Sequence, residues 1–435
     1  MKKYYQAALT LTAVLSLIAL LIYRHEYNKL RFVLQFFNSF GRPIQKSDCN
    51  CTTPKVKWHS RYAEFALPES PWQRISQDLY VYSAYNNNDD GEIRAIGFGK
   101  KINHLNYSCH VYFDDDVESV EGKFSYEIIN DVNDESVKND GTKYTGYILI
   151  CKFIKTNKLI VGIKFNNIVY TNFEVTPITH VRVLSTGNNK SKSGNVICVA
   201  PPTAGHISHA NMISFLAFHN YLGWKNMIVY DFGISHVLSN NLKRMADMSD
   251  TQWNFTFTTV PWNFPYAQIS HSTIRKIIET DCIYRTYNKA ILAVTLSWNE
   301  YINLRYHNTV ENVLTDIANE NDNLTVGKFQ LSTLVYCLND NNDDLLISTP
   351  VMLKSTRRLR KINHNEPHYI FKLTNILNTN VRQQNIDDLI YINRYQQCNI
   401  DDRRETIDYG MLKFAEHMPG TKIFQYYITG QLYSH

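Results

Sequence analysis

The feature that most restricts this chain is an alternation between Asn195 and Asn303, where short continuous apolar runs take turns with segments whose apolar residues recur at helical spacing. Val196 to Val199, closed by Pro201 and Pro202, reads as a buried strand. Met212, Phe215, Leu216 and His219 then share one helical face, and Gly223 stands where a left-handed cap would end the helix. Met227 to Tyr230 is a second strand, ending at Asp231 and Gly233. Leu238, Leu242 and Met245 give a second helical face, Phe255 and Phe257 alternate with threonines as a strand, and Ile274, Ile277, Ile278 and Cys282 give a third face. Ala290 to Leu296 delivers the tetrapeptide Ser297-Trp298-Asn299-Glu300. This order predicts an α/β domain with a mainly parallel sheet covered on both faces.

Upstream the rhythm changes. Leu79 to Tyr85, Ile93 to Phe98, His110 to Phe113, Phe124 to Ile128, Tyr147 to Phe153 and Leu159 to Phe165 are β-type runs separated by turn residues, at the spacing of a small sandwich or meander. The Ser, Gly, Asn and Lys-rich stretch 185–194 separates them from the α/β part. Before both, residues 4–23 hold no charged residue, and about 20 apolar residues suffice to cross a bilayer core. A retained anchor fits better than a cleaved signal peptide, because tyrosines and Arg24 follow the run where a cleavage site needs small residues. Expected boundaries are a short tail at 1–3, the anchor at 4–23, a stem at 24–77, a β-rich accessory domain at 78–190 and the α/β domain at 194–430.

With 45 basic against 40 acidic residues in 435, the charge balance gives no case for nucleic acid. The one basic cluster, Arg357, Arg358, Arg360 and Lys361, reads as a solvated face. All eight cysteines lie beyond residue 23, as disulfides in an oxidising compartment would require, although Cys198 and Cys282 also suit buried free thiols. Cys49 and Cys51 read as disulfide formers rather than metal ligands. Sequons at Asn50, Asn106, Asn189, Asn254 and Asn323 join the anchor in favouring a single-pass type II membrane protein with a body in the lumen of the Golgi or another secretory compartment.

Five motifs, in order, resemble glycosyltransferase family 92. They are Val81-Tyr82-Ser83-Ala84-Tyr85 with Glu92-Ile93-Arg94; Ile197-Cys198-Val199-Ala200-Pro201-Pro202; His219-Asn220-Tyr221-Leu222-Gly223 leading to Ile228-Val229-Tyr230-Asp231; Trp262 through Gln268; and Thr280-Asp281-Cys282-Ile283-Tyr284-Arg285. The resemblance spans about Leu79 to Cys398. It implies a GT-A-like nucleotide-sugar-binding domain and transfer of a hexose, galactose first, from a UDP-sugar to the glycan of a glycoprotein or glycolipid. Inversion at the sugar would require a general base, for which Glu300 is the nearest candidate.

The chain departs from the family at two points. An Asp-x-Asp-Glu motif would hold Mn2+ against the diphosphate, since hard cations prefer carboxylate oxygens. Here Ser297-Trp298-Asn299-Glu300 stands in its place, so Ser297 and Asn299 offer only neutral oxygens to a metal. Where the family pattern reads His-Tyr-Arg before a cysteine, this chain has Arg394-Tyr395-Gln396-Gln397-Cys398. Arg394 either neutralises the diphosphate directly or marks a dead site. Asp231, Asp281 and Arg285 are further nucleotide-sugar candidates. Against that reading, Asp231 also suits an exposed loop and Asp281 with Arg285 an i,i+4 ion pair. Trp262, Tyr266 and His368 are candidates for the acceptor side, where aromatic packing and a core histidine are the plainer roles. His206 and His209 fall in no motif and read as loop and helix-start residues. The rival function is a catalytically inactive glycan-binding or regulatory protein, and a purely structural surface glycoprotein explains none of the motifs.

Overall fold

A computed structural model describes position 16 and residues 72–425, except 77–78, 88–90, 102–105, 115–118, 130–143, 157, 168–180, 186–193, 202–208, 232–254, 266–268, 321–325, 339–350, 361–362, 375, 377–381, 399–404, 416, 418–419 and 422. From Trp72 onward, the described residues belong to one compact unit, Trp58–Glu174 with Ile178–His435.

The upstream β-type runs form one sheet of eight strands: β1 (Gln73–Ser76), β2 (Leu79–Asn87), β3 (Glu92–Lys100), β4 (Tyr107–Phe113), β5 (Val120–Ile129), β6 (Tyr144–Lys152), β7 (Ile160–Asn167) and β8 (Val181–Ser185). Their order is β1-β2-β3-β6-β5-β4-β7-β8, and a parallel pairing of β2 with β8 bends the sheet round on itself. The result is a barrel-like sheet rather than the expected sandwich or meander. Side chains of β2 face two ways. Val81 and Ala84 pack inside the barrel with Ile93, Ala95 and Leu149, whereas Tyr82 and Tyr85 point outward into a second core. An irregularity between Val81 and Ser83 in the pairing with β3 explains the three-residue step between inward positions. The disulfide Cys109–Cys151 lies under β5, where a Cβ on Gly122 would come within 2.5 Å of the Cys151 sulfur.

The second sheet carries the opening alternation. It contains β9 (Asn195–Ala200), β10 (Asn226–Asp231), β11 (Thr256–Pro261), β12 (Leu292–Ser297), β13 (Glu300–Leu304), β14 (Val326–Leu338), β15 (Arg357–Leu359), β16 (Asn363–Lys372), β17 (Arg382–Asn385), β18 (Ile390–Gln397) and β19 (Glu405–Ile407). Strands β11, β10, β9 and β12 run parallel to their neighbours. Beyond β12 the sheet turns antiparallel through β16 and β14, and β13 joins it by way of β18. Helices α1 (His209–Tyr221), α2 (His271–Thr286), α3 (Val310–Glu320) and α4 (Val351–Lys354) accompany it.

Two expectations are corrected here. About 55% of the described structure is strand and 20% helix, and one of the two sheets is a nearly closed antiparallel one, so the molecule is not an α/β GT-A fold. The parallel run is one arm of a mixed sheet, because most strands after Asn303 follow one another with only α3 and the four-residue α4 between them and pair antiparallel at β16 and β14. Among the described residues no helix is long and apolar enough to cross a membrane. The single-pass type II, Golgi-type placement is therefore not carried forward, and residues 4–23, where the anchor is expected, lie outside the described residues apart from position 16. Of the expected stem, 24–71 with Cys49 and Cys51 lie outside them while its end, Gln73–Ser76, is β1 of the first sheet, and the helix expected from Leu238 to Met245 also lies outside them.

The local chemistry explains why α1 and α2 sit where they do. In α1 the residues from Met212 to His219 are all buried, so the helix is a core element rather than an amphipathic cover. Gly223 ends it at φ +96°, the left-handed conformation that glycine adopts without steric penalty. Ser270 caps α2 by accepting a hydrogen bond from the Thr273 amide at 3.3 Å. Cys282 of α2 is bound to Cys198 of β9, which settles both as disulfide partners rather than free thiols. A third disulfide joins Cys337 of β14 to Cys398. The basic cluster is paired at the β15–β19 edge, with Arg358 donating to Asp408 at 2.8 Å and Arg357 3.8 Å from Glu405.

Candidate functional site

The candidates separate into two places. One is a buried polar knot between the barrel, α2 and the parallel strands. Asp281 is fully buried and accepts hydrogen bonds from Tyr85 at 2.6 Å, Tyr230 at 2.5 Å and Arg285 Nε at 2.9 Å, and from the hydroxyl of Ser83. Arg285 is likewise wholly buried, with its guanidinium 5.8 Å from the Tyr85 ring centre. A charge removed from water this completely is tolerated only when paired and hydrogen-bonded, and every donor around Asp281 meets that need. Neither residue presents an atom to a ligand, so the expected contact to a nucleotide gives way to the i,i+4 ion pair.

Trp262 belongs to the same region. It is 1% exposed and packed edge-on to Trp72, Tyr82 and Tyr230 at centroid distances of 5.2, 4.9 and 5.4 Å, with Phe264 stacked on it at 5.7 Å. Such aromatic pairs add roughly 0.5–1.5 kcal/mol each beyond burial. The ring is core, and no face is left for a sugar. Asp231 ends β10, half-buried, and its carbonyl accepts from the Trp262 amide at 2.9 Å. Tyr266 and His206 lie outside the described residues.

The second place gathers Ser297, Glu300, His368 and Arg394. Glu300 opens β13 and lies in register opposite Arg394 of β18, where opposite charges attract across a strand pair. Its carboxylate is 1% exposed. On Oε1 converge Arg394 Nε at 2.9 Å, Arg275 Nη1 at 3.0 Å and His368 Nε2 at 3.0 Å, while Oε2 accepts from the Ser297 amide at 2.8 Å. Arg275 comes from α2 and also donates to the Thr295 carbonyl of β12 at 2.7 Å, tying the helix to the strand end. The two arginine side chains keep 11% and 15% exposure, so both reach a surface from an otherwise buried site.

These partners set the charge states. Burial alone would raise the Glu300 carboxyl, but Arg275, then His368 and Arg394, hold it well below the usual carboxylate range. For His368, burial first and the Arg275 charge next outweigh the pull of Glu300 and push its ring down to about 4. The ring is fully buried and stands 3.1 Å from Thr333 through Nδ1. At neutral pH the cluster therefore holds two cations, one anion and a neutral imidazole. Glu300 with a depressed pKa and Oε1 crowded by three groups is a poor proton acceptor. The geometry makes it the anchor that holds Arg275 and Arg394 in place.

The position compared with a metal motif is spent on backbone contacts. Asn299 donates through Nδ2 to the Tyr395 carbonyl at 2.9 Å and accepts from the Tyr395 amide through its own carbonyl at 2.9 Å, closing β13 onto β18. Trp298 is buried against Phe215 at 5.3 Å. Ser297 is 5% exposed, and its Oγ has no partner. Two neutral side-chain oxygens and a carboxylate already shared between arginines are not a donor set that suits Mn2+, which prefers uncommitted carboxylate oxygens. Among the described residues no group of three or more His, Cys, Asp or Glu could hold a metal ion.

Two residues of this site escaped sequence reasoning. Arg275 is a single arginine beside an apolar helical face, and no spacing marks it. His271 opens α2, four residues before Arg275, and so lies on the same face. Burial first, then the Arg275 charge, lower its pKa from the ordinary 6.5, with Glu300 pulling the other way. His219, read from sequence as an apolar-face residue and as the start of the third motif, is buried and bonded to backbone. Its Nδ1 faces the Phe215 carbonyl at 2.9 Å, Nε2 accepts from the Ile302 amide at 3.4 Å, and burial lowers its pKa to about 3.

No family model matches the chain, and no curated protein matches it. The family resemblance therefore rests on the motif residues themselves.

Proposed function

We propose that the protein is a glycosyltransferase that moves a hexose, galactose first, from a UDP-sugar to a glycan acceptor, with arginines in place of a metal ion. The observation that carries this reading is the convergence of Arg275 and Arg394 on buried Glu300 at the start of β13. Transfer from a UDP-sugar leaves negative charge on the departing diphosphate, and that charge must be met in the transition state. A guanidinium meets phosphate oxygens with a planar fork of donors. Here two of them are held by one carboxylate, which leaves a net charge of +1 with His368 neutral. The five ordered motifs add support from the sequence side.

The test uses the full chain with UDP-sugars and glycan acceptors, with either EDTA or manganese. Turnover that persists in EDTA is expected. Absence of turnover with every UDP-sugar and acceptor, with and without manganese, would sink the reading, and turnover strictly dependent on manganese would sink its metal-free part.

A second reading has its own support. Glu300 is saturated and its pKa depressed, so it does not serve as the general base that inversion requires. A glycan-binding or regulatory protein that keeps the anion site without turnover fits that fact. It predicts UDP binding by calorimetry in EDTA with no sugar transfer.

A further inference from the structure

The eight-stranded sheet is nearly closed, and β5 leaves it open along part of one edge. The start of β5 pairs with β4, Val120 opposite Val111 and Gly122 opposite Cys109. The rest, Lys123 to Ile129, pairs only with β6, from Lys152 to Gly146. Continued at the same register, β4 would bring its first residue, Tyr107, beside Phe124, and from Ser125 onward it has run out. Among the described strands none borders that edge of β5.

An open strand edge offers unpaired backbone N–H and C=O groups to an arriving strand, and the side chains decide which strand fits. On β5 alternate residues divide by face. Phe124 and Tyr126 pack against the core inside the barrel, while Lys123, Ser125 and Glu127 are exposed. Neither Lys123 nor Glu127 has an ion-pair partner among the described residues. Across β6, Lys123 faces another lysine, Lys152, which itself pairs with Glu92 at 3.3 Å. The edge therefore carries one cation and one anion, four residues apart and both unmatched.

We propose that this edge pairs with the same edge of a second copy of the chain, antiparallel about a two-fold axis at Ser125, making the protein a homodimer through β5. In that register Lys123 of each copy lies opposite Glu127 of the other, and Phe124 lies opposite Tyr126. Each contact occurs twice, as an interface formed by one patch with itself requires. Opposite charges attract directly across a strand pair and like charges repel, so the charges select the register. An axis at Phe124 would bring Glu121 opposite Glu127, and an axis at Tyr126 would leave Lys123 opposite Ile129. An axis at Gly122 would offer Glu121 to Lys123, but it falls on residues that β4 already pairs.

The test is sedimentation equilibrium of the full chain at low ionic strength, where exposed charge pairs are least screened. Wild type should approach twice 50.7 kDa as concentration rises. Lys123→Glu and Glu127→Lys each turn two attractive pairs into two repulsive ones, and each should raise the dimer Kd about tenfold or more. The double variant Lys123→Glu/Glu127→Lys only exchanges the two charges, and its Kd should return to within about threefold of wild type. That rescue distinguishes self-pairing from misfolding and from docking of a different partner. A wild type that stays at 50.7 kDa at every concentration would overturn the proposal. So would a dimer that both single reversals leave unchanged, or a double variant that melts like wild type yet dimerises no better than the single ones.

Discussion

Replacing Glu300 by glutamine separates an anchor from a base. The substitution preserves shape but removes the charge between Arg275 and Arg394, and one carboxylate oxygen becomes an NH2 group. Whichever way the amide turns, that group faces a donor, either the Ser297 amide or the arginine pair. Breaking a buried ion pair by removing one partner costs about 3–5 kcal/mol. Because the arginine side chains keep 11% and 15% exposure, the lower end, about 3 kcal/mol, applies. At roughly 2 °C per kcal/mol for a chain of this size, the melting temperature should drop by about 6 °C. The assay is thermal unfolding at neutral pH of wild type, Glu300→Gln, Arg394→Met and the double variant. If the carboxylate holds the arginine, the double variant should be more stable than the sum of the single effects predicts, by about 1–3 kcal/mol. Additivity within about 0.5 kcal/mol would refute the anchoring role. So would a Glu300→Gln protein that melts like wild type yet has lost all turnover, since that is how a base behaves.

Acid should destabilise the protein before carboxylates titrate. His219 and His368 have folded pKa values lowered to about 3 and about 4 from 6.5, so the unfolded chain binds more protons below 6.5 and stability falls as pH drops through that window. The loss should reach about 2 kcal/mol per ring by pH 5, measured by urea unfolding, and a His368→Gln protein should lose correspondingly less between pH 7.5 and 5. The part contributed by Glu300 has the same sign but a lower window. Its depressed carboxyl adds stability that is whole above the ordinary carboxylate value and is lost as pH falls from there through its much lower folded value. Asp281→Asn should destabilise by about 3–5 kcal/mol by stranding wholly buried Arg285, and a loss under 1 kcal/mol would contradict the knot's role. Gly122→Ala should cost about 1–3 kcal/mol, because the new methyl meets the Cys109–Cys151 sulfurs; an unchanged urea midpoint would show that β5 yields freely.

Much of the fold was legible where periodicity is local. The run Val196 to Val199, the helix carrying Met212 to His219 and the helix carrying Ile274 to Cys282 appear as β9, α1 and α2 because each announces its period within a dozen residues. The barrel-like closure was not legible, since pairing β2 with β8 joins segments about a hundred residues apart and leaves no mark on either strand. Overestimating the α/β character has a similar cause. The strands after Asn303 pair across long separations, and β14 alone contacts β15, β16, β17 and β18.

The site shows the same division between what spacing encodes and what burial decides. Asp281 and Arg285 sit at ion-pair spacing in the sequence, but only the arrival of Tyr85 and Tyr230 from other elements turns that pair into a sealed knot. Glu300 and Arg394 drew attention singly, one as a retained carboxylate and one as a departure from a pattern. In the fold they face each other across β13 and β18, so the cation at Arg394 and the anion at Glu300 are parts of one arrangement. Its third member, Arg275, arrives from a helix whose other face is apolar. Ser297, Asn299 and Arg394 look only like departures from a metal motif when read one position at a time. Arg394 taken with Arg275 gives two cations on one carboxylate, a site of net positive charge. A site of that sign attracts an anion and repels a divalent cation, which is the electrostatic ground on which transfer without a metal is proposed.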